Sequence, residues 1–174
     1  MRPALVEEAI SGQIDEVERV FRAHHGLVFR TAYRITGNAT DAEDVLQTVF
    51  LRLVRRDASA PPLENSEPYL RRAAINAALD VVRTWRAAET VSLPDSLAER
   101  GGLDRDEWRD ALRRALATLP PQTAEIFALR FFEGHSNAEI ARMLGVSRVR
   151  VAVTVHRARR RLKKEIRSIM GGRL

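Results

Sequence analysis

The chain has 174 residues, 30% of them charged and 6% aromatic, with 29 Lys+Arg against 23 Asp+Glu for a formal net charge of +6. That length allows one domain or two very small ones and excludes a large enzyme core. No stretch approaches the roughly 18 uninterrupted apolar residues of a membrane helix, and the absence of cysteine excludes disulfide scaffolds, thiolate zinc sites and cysteine nucleophiles. Met1-Arg2-Pro3-Ala4 lacks the long apolar run of a secretory signal, so the expectation is a cytoplasmic chain without membrane insertion.

Helical periodicity dominates from the start. Val17, Val20, Phe21, Val28, Phe29, Ala32 and Tyr33 predict a pair of helices over residues 13–25 and 27–36, the second closed by Gly37-Asn38. Val45, Leu46, Val49, Phe50, Leu53 and Val54 form one broad apolar stripe. Thr40-Asp41-Ala42-Glu43 before it reads as a capping box, starting that helix near residue 41. Residues 57–66, with Pro61-Pro62, form a loop, and Ser66 ahead of Pro68 opens a helix running to about Arg86. From Ala87 to Asp104 the pattern lapses into an acidic stretch with Pro94 and Gly101-Gly102, which marks a linker. Asp104-Arg105-Asp106-Glu107 caps a helix through Ala117, Leu119-Pro120-Pro121 breaks it, and another helix follows from about Gln122 to Phe132.

The charge surplus is local. Residues 1–105 carry 14 basic and 16 acidic side chains, whereas residues 106–174 carry 15 and 7. Residues 142–174 hold 11 cations against the single acid Glu165. A solvated helix end is one reading of that run, and a polyanion-binding face is the other.

Ser136-Asn137-Ala138-Glu139 is a capping box for a short helix through Leu144, which Gly145 stops, and Ser147 caps the next helix. Ala141, Gly145 and Val151 supply what a helix-turn-helix needs: a small contact residue, a glycine able to take positive φ in the turn, and a branched apolar anchor. Ile140 and Leu144 fill the same core, with Leu162, Ile166 and Ile169 expected to continue it. In such a unit the second helix enters the major groove with its N-terminal residues at base edges. Ser147, Arg148, Val149, Ala152 and Val153 are the expected base-facing positions, and Ala152 and Val153 could meet thymine methyls. Arg150, His156, Arg157 and Arg159–Arg161, Arg160 among them, are expected at phosphates. His156 is equally compatible with an exposed continuation of the basic helix.

These residues resemble an RNA polymerase sigma factor of the sigma-70 family, extracytoplasmic-function group. Asp41-Ala42-Glu43-Asp44-Val45-Leu46-Gln47 through Leu53 is similar to the family's polymerase-binding helix, and Pro68-Tyr69-Leu70 through Asn76, Asp80 and Arg83 to its promoter −10 helix. Leu119-Pro120-Pro121, Phe131-Phe132-Glu133-Gly134, Glu139-Ile140-Ala141, Leu144-Gly145 and His156-Arg157-Ala158-Arg159 resemble its −35-binding domain. The resemblance implies polymerase binding by Glu43, Asp44, Gln47, Thr48 and Leu51, with Thr48 standing where the family usually has an acid. It implies −10 contacts by Arg71, Arg72, Asn76, Asp80, Arg83 and Arg86. Asn76 can address a base edge or pair with Asp80 at i+4, and Tyr69 and Trp85 can stack on bases or anchor the core. Val149-Arg150-Val151-Ala152-Val153-Thr154 departs from the family's common Gly-Thr-Val-Lys-Ser-Arg, so no −35 preference carries over. In the family the linker threads toward the polymerase channel, where Glu89, Asp95 and Glu99 could mimic nucleic acid.

The fold expectation is all-α: a polymerase- and −10-binding domain over 1–86, a flexible linker over 87–104, and a helix-turn-helix domain over 105–174. The implied partners are core RNA polymerase, promoter DNA and, for a regulated member, an anti-sigma factor. The chain is expected to be monomeric, with no cofactor, metal or catalytic residue. Two alternatives stay open from sequence. A serine recombinase needs a strand-rich N-terminal domain around a nucleophile such as Ser11, and a stand-alone helix-turn-helix regulator needs an N-terminal sensor or dimerisation bundle.

Overall fold

A single helix, α1, runs from Pro3 to Thr36 in the computed structural model of the protein, which describes residues 3–56, 65–91 and 105–171. The sequence predicts a break near Gly26 that does not occur. Buried Val20, Val28, Ala32 and Ile35 keep one helical phase across the glycine, and a single helical glycine costs only about 1 kcal/mol relative to alanine. Phe21 and Tyr33, expected in the buried stripe, are exposed; Phe21 leans edge-on against Phe50 with ring centroids 4.9 Å apart.

Helix α2 spans Ala39–Val54, two residues earlier than the Thr40 capping box predicts. Gly37 at φ +65° turns the chain, and Asn38 is extended at φ −131° and ψ 132°. The Asn38 side-chain oxygen accepts from the Thr40 N–H at 2.8 Å and the Asp41 N–H at 3.3 Å. So short a link makes Asn38 the cap and leaves Thr40 inside the first turn. Ala42, Val45, Val49, Phe50 and Leu53 are buried, whereas Val54 falls outside the stripe.

Helix α3, Ser66–Val91, lies on α1 and α2 and buries Leu70, Ala74, Ile75, Ala77, Ala78, Leu79 and Val82. Its alanines allow close helix approach, and Ser66 Oγ lies 2.8 Å from His24 Nε2, tying its first turn to α1. It continues past the expected end at Arg86 because Ala87 and Ala88 are good helix formers. Glu89 therefore belongs to α3 rather than to a linker, while Asp95, Glu99 and most of the 57–66 loop lie outside the described residues.

The second unit comprises α4 (Arg105–Leu116), α5 (Pro121–Phe131), α6 (Asn137–Leu144) and α7 (Arg148–Ile169). Helix α5 buries every residue from Ala124 to Leu129, since it is covered on one side by α7 and on another by α3. Val151, Ala158, Leu162 and Ile166 form the buried stripe of α7. Ile169, expected in that core, is 40% exposed, and Met170 takes the inward position. The two units are in direct contact, with α3 packed against α4 and α5. Among the described residues the elements are all helical, and no helix is long and apolar enough to cross a membrane.

Candidate nucleic-acid interface

The turn between α6 and α7 is built from local hydrogen bonds. Ser136 Oγ accepts the Glu139 N–H at 3.2 Å while Glu139 Oε2 accepts the Ser136 N–H at 2.8 Å, closing the predicted capping box. These bonds from the Ser136 backbone and side chain hold the Glu139 carboxyl below its ordinary value. Gly145 sits at φ +64°, its N–H donating to the Ala141 carbonyl, a conformation other residues adopt only with strain. Ser147 then caps α7 by accepting the Arg150 N–H at 3.2 Å. Ile140 and Val151 are fully enclosed between the helices, as the sequence predicts.

This leaves one face of α7 outward. Ser147, Arg148, Val149, Ala152, Val153, His156, Arg157 and Arg160 are all exposed, and Val149, at 73%, has no protein surface to shelter it. Val149, Ala152 and Val153 share one side of the helix at i, i+3 and i+4. Arg150 points elsewhere, donating to Gln122 Oε1 in the first turn of α5 at 3.1 Å. Arg159 lies over the Phe131 ring, 5.9 Å from its centroid.

On α2, Glu43, Asp44, Gln47 and Leu51 are exposed and Thr48 is half-buried. Val54, at 48% exposure, extends this face beyond the residues the sequence suggests. Asp44, Gln47, Leu51 and Val54 follow helical spacing, and that spacing is the signal that finds Val54. Nearby Asp41 is pushed above its ordinary value, chiefly by burial, with the Asp44 charge adding to the effect and Arg113 opposing it.

The residues expected to meet the −10 element are divided. Asp80 accepts from Arg83 at 2.9 Å, and Arg86, Tyr69 and Trp85 are exposed rather than core anchors. Arg71, Arg72 and Asn76 instead engage the second unit. Arg71 pairs with Glu133 and with Glu67, the latter at 2.6 Å. Arg72 Nε donates to Glu125 Oε1 at 2.8 Å, and Asn76 Nδ2 reaches the same oxygen at 3.3 Å. Asn76 thus pairs across the interface rather than with Asp80, because Glu125 offers a carboxylate there. Sequence reasoning missed Glu125, Glu133 and Arg34. The available signal was Glu125 itself, a lone acid within the apolar run Ala124–Leu129, where an ion requires a partner.

A helix-turn-helix whose α7 keeps one face exposed, joined to a three-helix unit with a polar α2 face, defines a helical DNA-binding protein. Residues 20–88 match the family model for Sigma-70 region 2 and residues 109–162 that for Sigma-70, region 4. The chain is 31% identical over 159 residues to the RNA polymerase sigma-E factor of Streptomyces avermitilis, covering 90% of this chain and 88% of that protein. It is likewise 31% identical over 160 residues to the ECF RNA polymerase sigma factor SigM of Mycobacterium tuberculosis, covering 92% and 82%. CnrH, solved in complex with the cytosolic domain of CnrY, aligns with a TM-score of 0.55 at 24% identity over 95% of this chain and 96% of that one, a likeness of fold. The chain belongs to the sigma-70 family of RNA polymerase sigma factors, in its extracytoplasmic-function group. This family consists of non-catalytic transcription initiation factors. The recombinase alternative has no support, since Ser11 lies within helix α1. The stand-alone regulator is not favoured, because region 2 occupies the half it assigns to sensing or dimerisation.

Proposed function

We propose that the protein binds core RNA polymerase through Glu43, Asp44, Gln47, Thr48, Leu51 and Val54 and directs promoter-specific initiation. The observation carrying this reading is the succession of a region 2 unit and a region 4 unit whose α7 keeps one face exposed. The 1–86 unit, extended by α3 to Val91, addresses the melted −10 element through Arg71, Arg72, Asn76, Arg83 and Arg86, with Asp80 orienting Arg83. Exposed Tyr69 and Trp85 offer stacking surfaces to unpaired bases. The 105–174 unit reads duplex −35 DNA with Ser147, Arg148, Val149, Ala152 and Val153, while His156, Arg157 and Arg160 meet phosphates. Arg150 acts as a brace between α7 and α5 rather than as a primary phosphate contact. The protein supplies recognition as a monomer and no catalytic group, and work with the polymerase requires it in the cytoplasm. An anti-sigma partner would have to cover the α2 face or the reading face.

Reconstituted transcription tests the proposal. Core polymerase plus this protein should yield promoter-dependent transcripts that neither gives alone. Folded protein that neither associates with core polymerase nor supports a transcript would overturn it.

A further inference from the structure

Helices α4 and α5 both pack on α7, and the three leave between them a groove of about 730 Å³ that opens to the surface. Its floor is apolar. Trp108 and Leu112 come from α4 at i and i+4, Leu162 and Ile166 from α7 at the same spacing, and Phe127 from α5. Leu162 and Ile166 are otherwise buried, whereas Trp108 leaves 38% of its surface uncovered. One rim is basic. Arg159, Lys163 and Arg167 recur every four residues along α7, all exposed, with His156 and Arg160 beside them. Among the described residues no acid lines the groove.

The charges of this rim are not used within the protein. Arg71, Arg72 and Arg113 are each held by a carboxylate. Among the described residues no ion pair involves Arg159, Arg160, Lys163 or Arg167. Arg159 rests over the Phe131 ring, a contact that orients a guanidinium without neutralising it. Four cations beside uncovered apolar surface call for a ligand that satisfies both. A nucleic-acid strand supplies phosphates but no aliphatic body to lie on Leu112 and Ile166. An uncharged hydrophobe covers the floor and leaves the cations unanswered. We propose that this groove is a binding site for a single-chain anionic amphiphile of the fatty-acid class. Its head group sits on Arg159, Lys163 and Arg167, and its chain lies along Trp108, Leu112, Phe127 and Ile166.

Size and shape fit such a ligand. Small-molecule sites occupy roughly 300–1,000 Å³, with mostly apolar walls and a few polar groups that fix orientation. From Arg159 to Arg167 the rim runs about 12 Å along α7, at ~1.5 Å per residue. A chain laid parallel to the helix therefore keeps its methylenes on the floor while its carboxylate meets a guanidinium fork. His156 and Arg160 are also assigned to phosphates of the −35 duplex. An occupied groove draws on those same charges, so ligand and duplex oppose one another. That consequence rests on the proposed function of α7.

The experiment uses the full chain. It has two tryptophans, so Trp85→Phe leaves Trp108, on the groove floor, as the sole emitter. The probe is dodecanoate brominated at its terminal carbon and kept below micelle-forming concentrations, since bromine quenches a tryptophan it touches. Quenching of Trp108 should saturate, and Trp108→Phe, which reports Trp85, should show none. In displacement, affinity should rise from octanoate to dodecanoate by up to about fourfold per added methylene. Dodecanol and inorganic phosphate each carry one half of the ligand and should displace the probe at least about tenfold less well. Arg159→Gln/Lys163→Gln should weaken binding about tenfold. Arg161→Gln/Lys164→Gln removes the same charge from exposed positions outside the groove and should change it little. Saturating dodecanoate should also weaken binding of a mixed-sequence duplex. Four results overturn the site: no saturable quenching, equal quenching of both tryptophans, affinity indifferent to chain length, or equal losses in the two charge variants. Duplex binding unchanged by saturating dodecanoate would overturn the opposition between ligand and DNA. Failure to bind polymerase or direct transcription would instead count against the proposed function, since the quenching reads the groove without DNA or polymerase.

Discussion

Val149, Ala152 and Val153 present methyl groups and no hydrogen-bonding atom to whatever the reading face of α7 meets. In the major groove the matching feature is the thymine C5-methyl, the apolar mark in an otherwise polar donor–acceptor code. The −35 sites this protein selects from random duplexes should therefore carry thymines opposite these side chains, beside a base read by Arg148. Replacing each such thymine with deoxyuridine removes one methyl and leaves all base-pair hydrogen bonds. Each effective replacement should weaken binding by about 0.8 kcal/mol, close to fourfold. Val153→Ser should lose the sensitivity at one base pair only. Selected sites indifferent to deoxyuridine at every position would show that the apolar triad does not read sequence.

At the scale of the elements, the α6 capping box has a pH signature. The bonds from Ser136 depress the Glu139 carboxyl, so the ionised form stabilises the fold above the unfolded value near 4.5 and that contribution is lost as pH falls through the lower folded value. Glu139→Gln should lower the thermal midpoint at pH 7, with the gap to wild type closing at pH 3. A gap that persists at pH 3 would assign the effect to packing rather than to charge. Such a box was legible in the sequence because all its atoms lie within four residues, and the same holds for Gly145 and Ser147. The start of α2 was misread for a related reason: Thr40 and Asn38 both carry capping side chains, and only the turn at Gly37 decides between them. Continuity through Gly26 was misread because a local helix breaker was weighed above a stripe that keeps its phase from Val20 to Ile35. The partners of Arg71 and Arg72 could not be read at all. Glu133 and Glu125 lie 62 and 53 residues further along the chain, and no periodicity spans that distance.

For the whole molecule, the interface decides whether there is one folding unit or two. The second unit is the smaller, and small units bury a low fraction of the surface their unfolded chains expose. Resting α5 on α3 gives it additional buried area, and the acids fix the register of that contact. Removing one partner of a buried ion pair costs about 3–5 kcal/mol where the structure cannot open to rehydrate the other. Both acids sit at the contact between the units, so the loss should appear as uncoupling of the units. The two tryptophans separate them: Trp85 stands on α3, with Arg113 of α4 5.7 Å from its ring centroid, and Trp108 stands on α4. Single-tryptophan variants, Trp85→Phe and Trp108→Phe, thus report one unit each. In the otherwise wild-type chain their denaturant curves should coincide, the mark of a single cooperative transition. With Glu125→Gln/Glu133→Gln added, the Trp108 curve should move to lower denaturant while the Trp85 curve stays near its original midpoint. Curves that still coincide would mean that the apolar wall between α3 and α5 couples the units without help from the two acids, and the acids would then set the register of that contact but not its cooperativity.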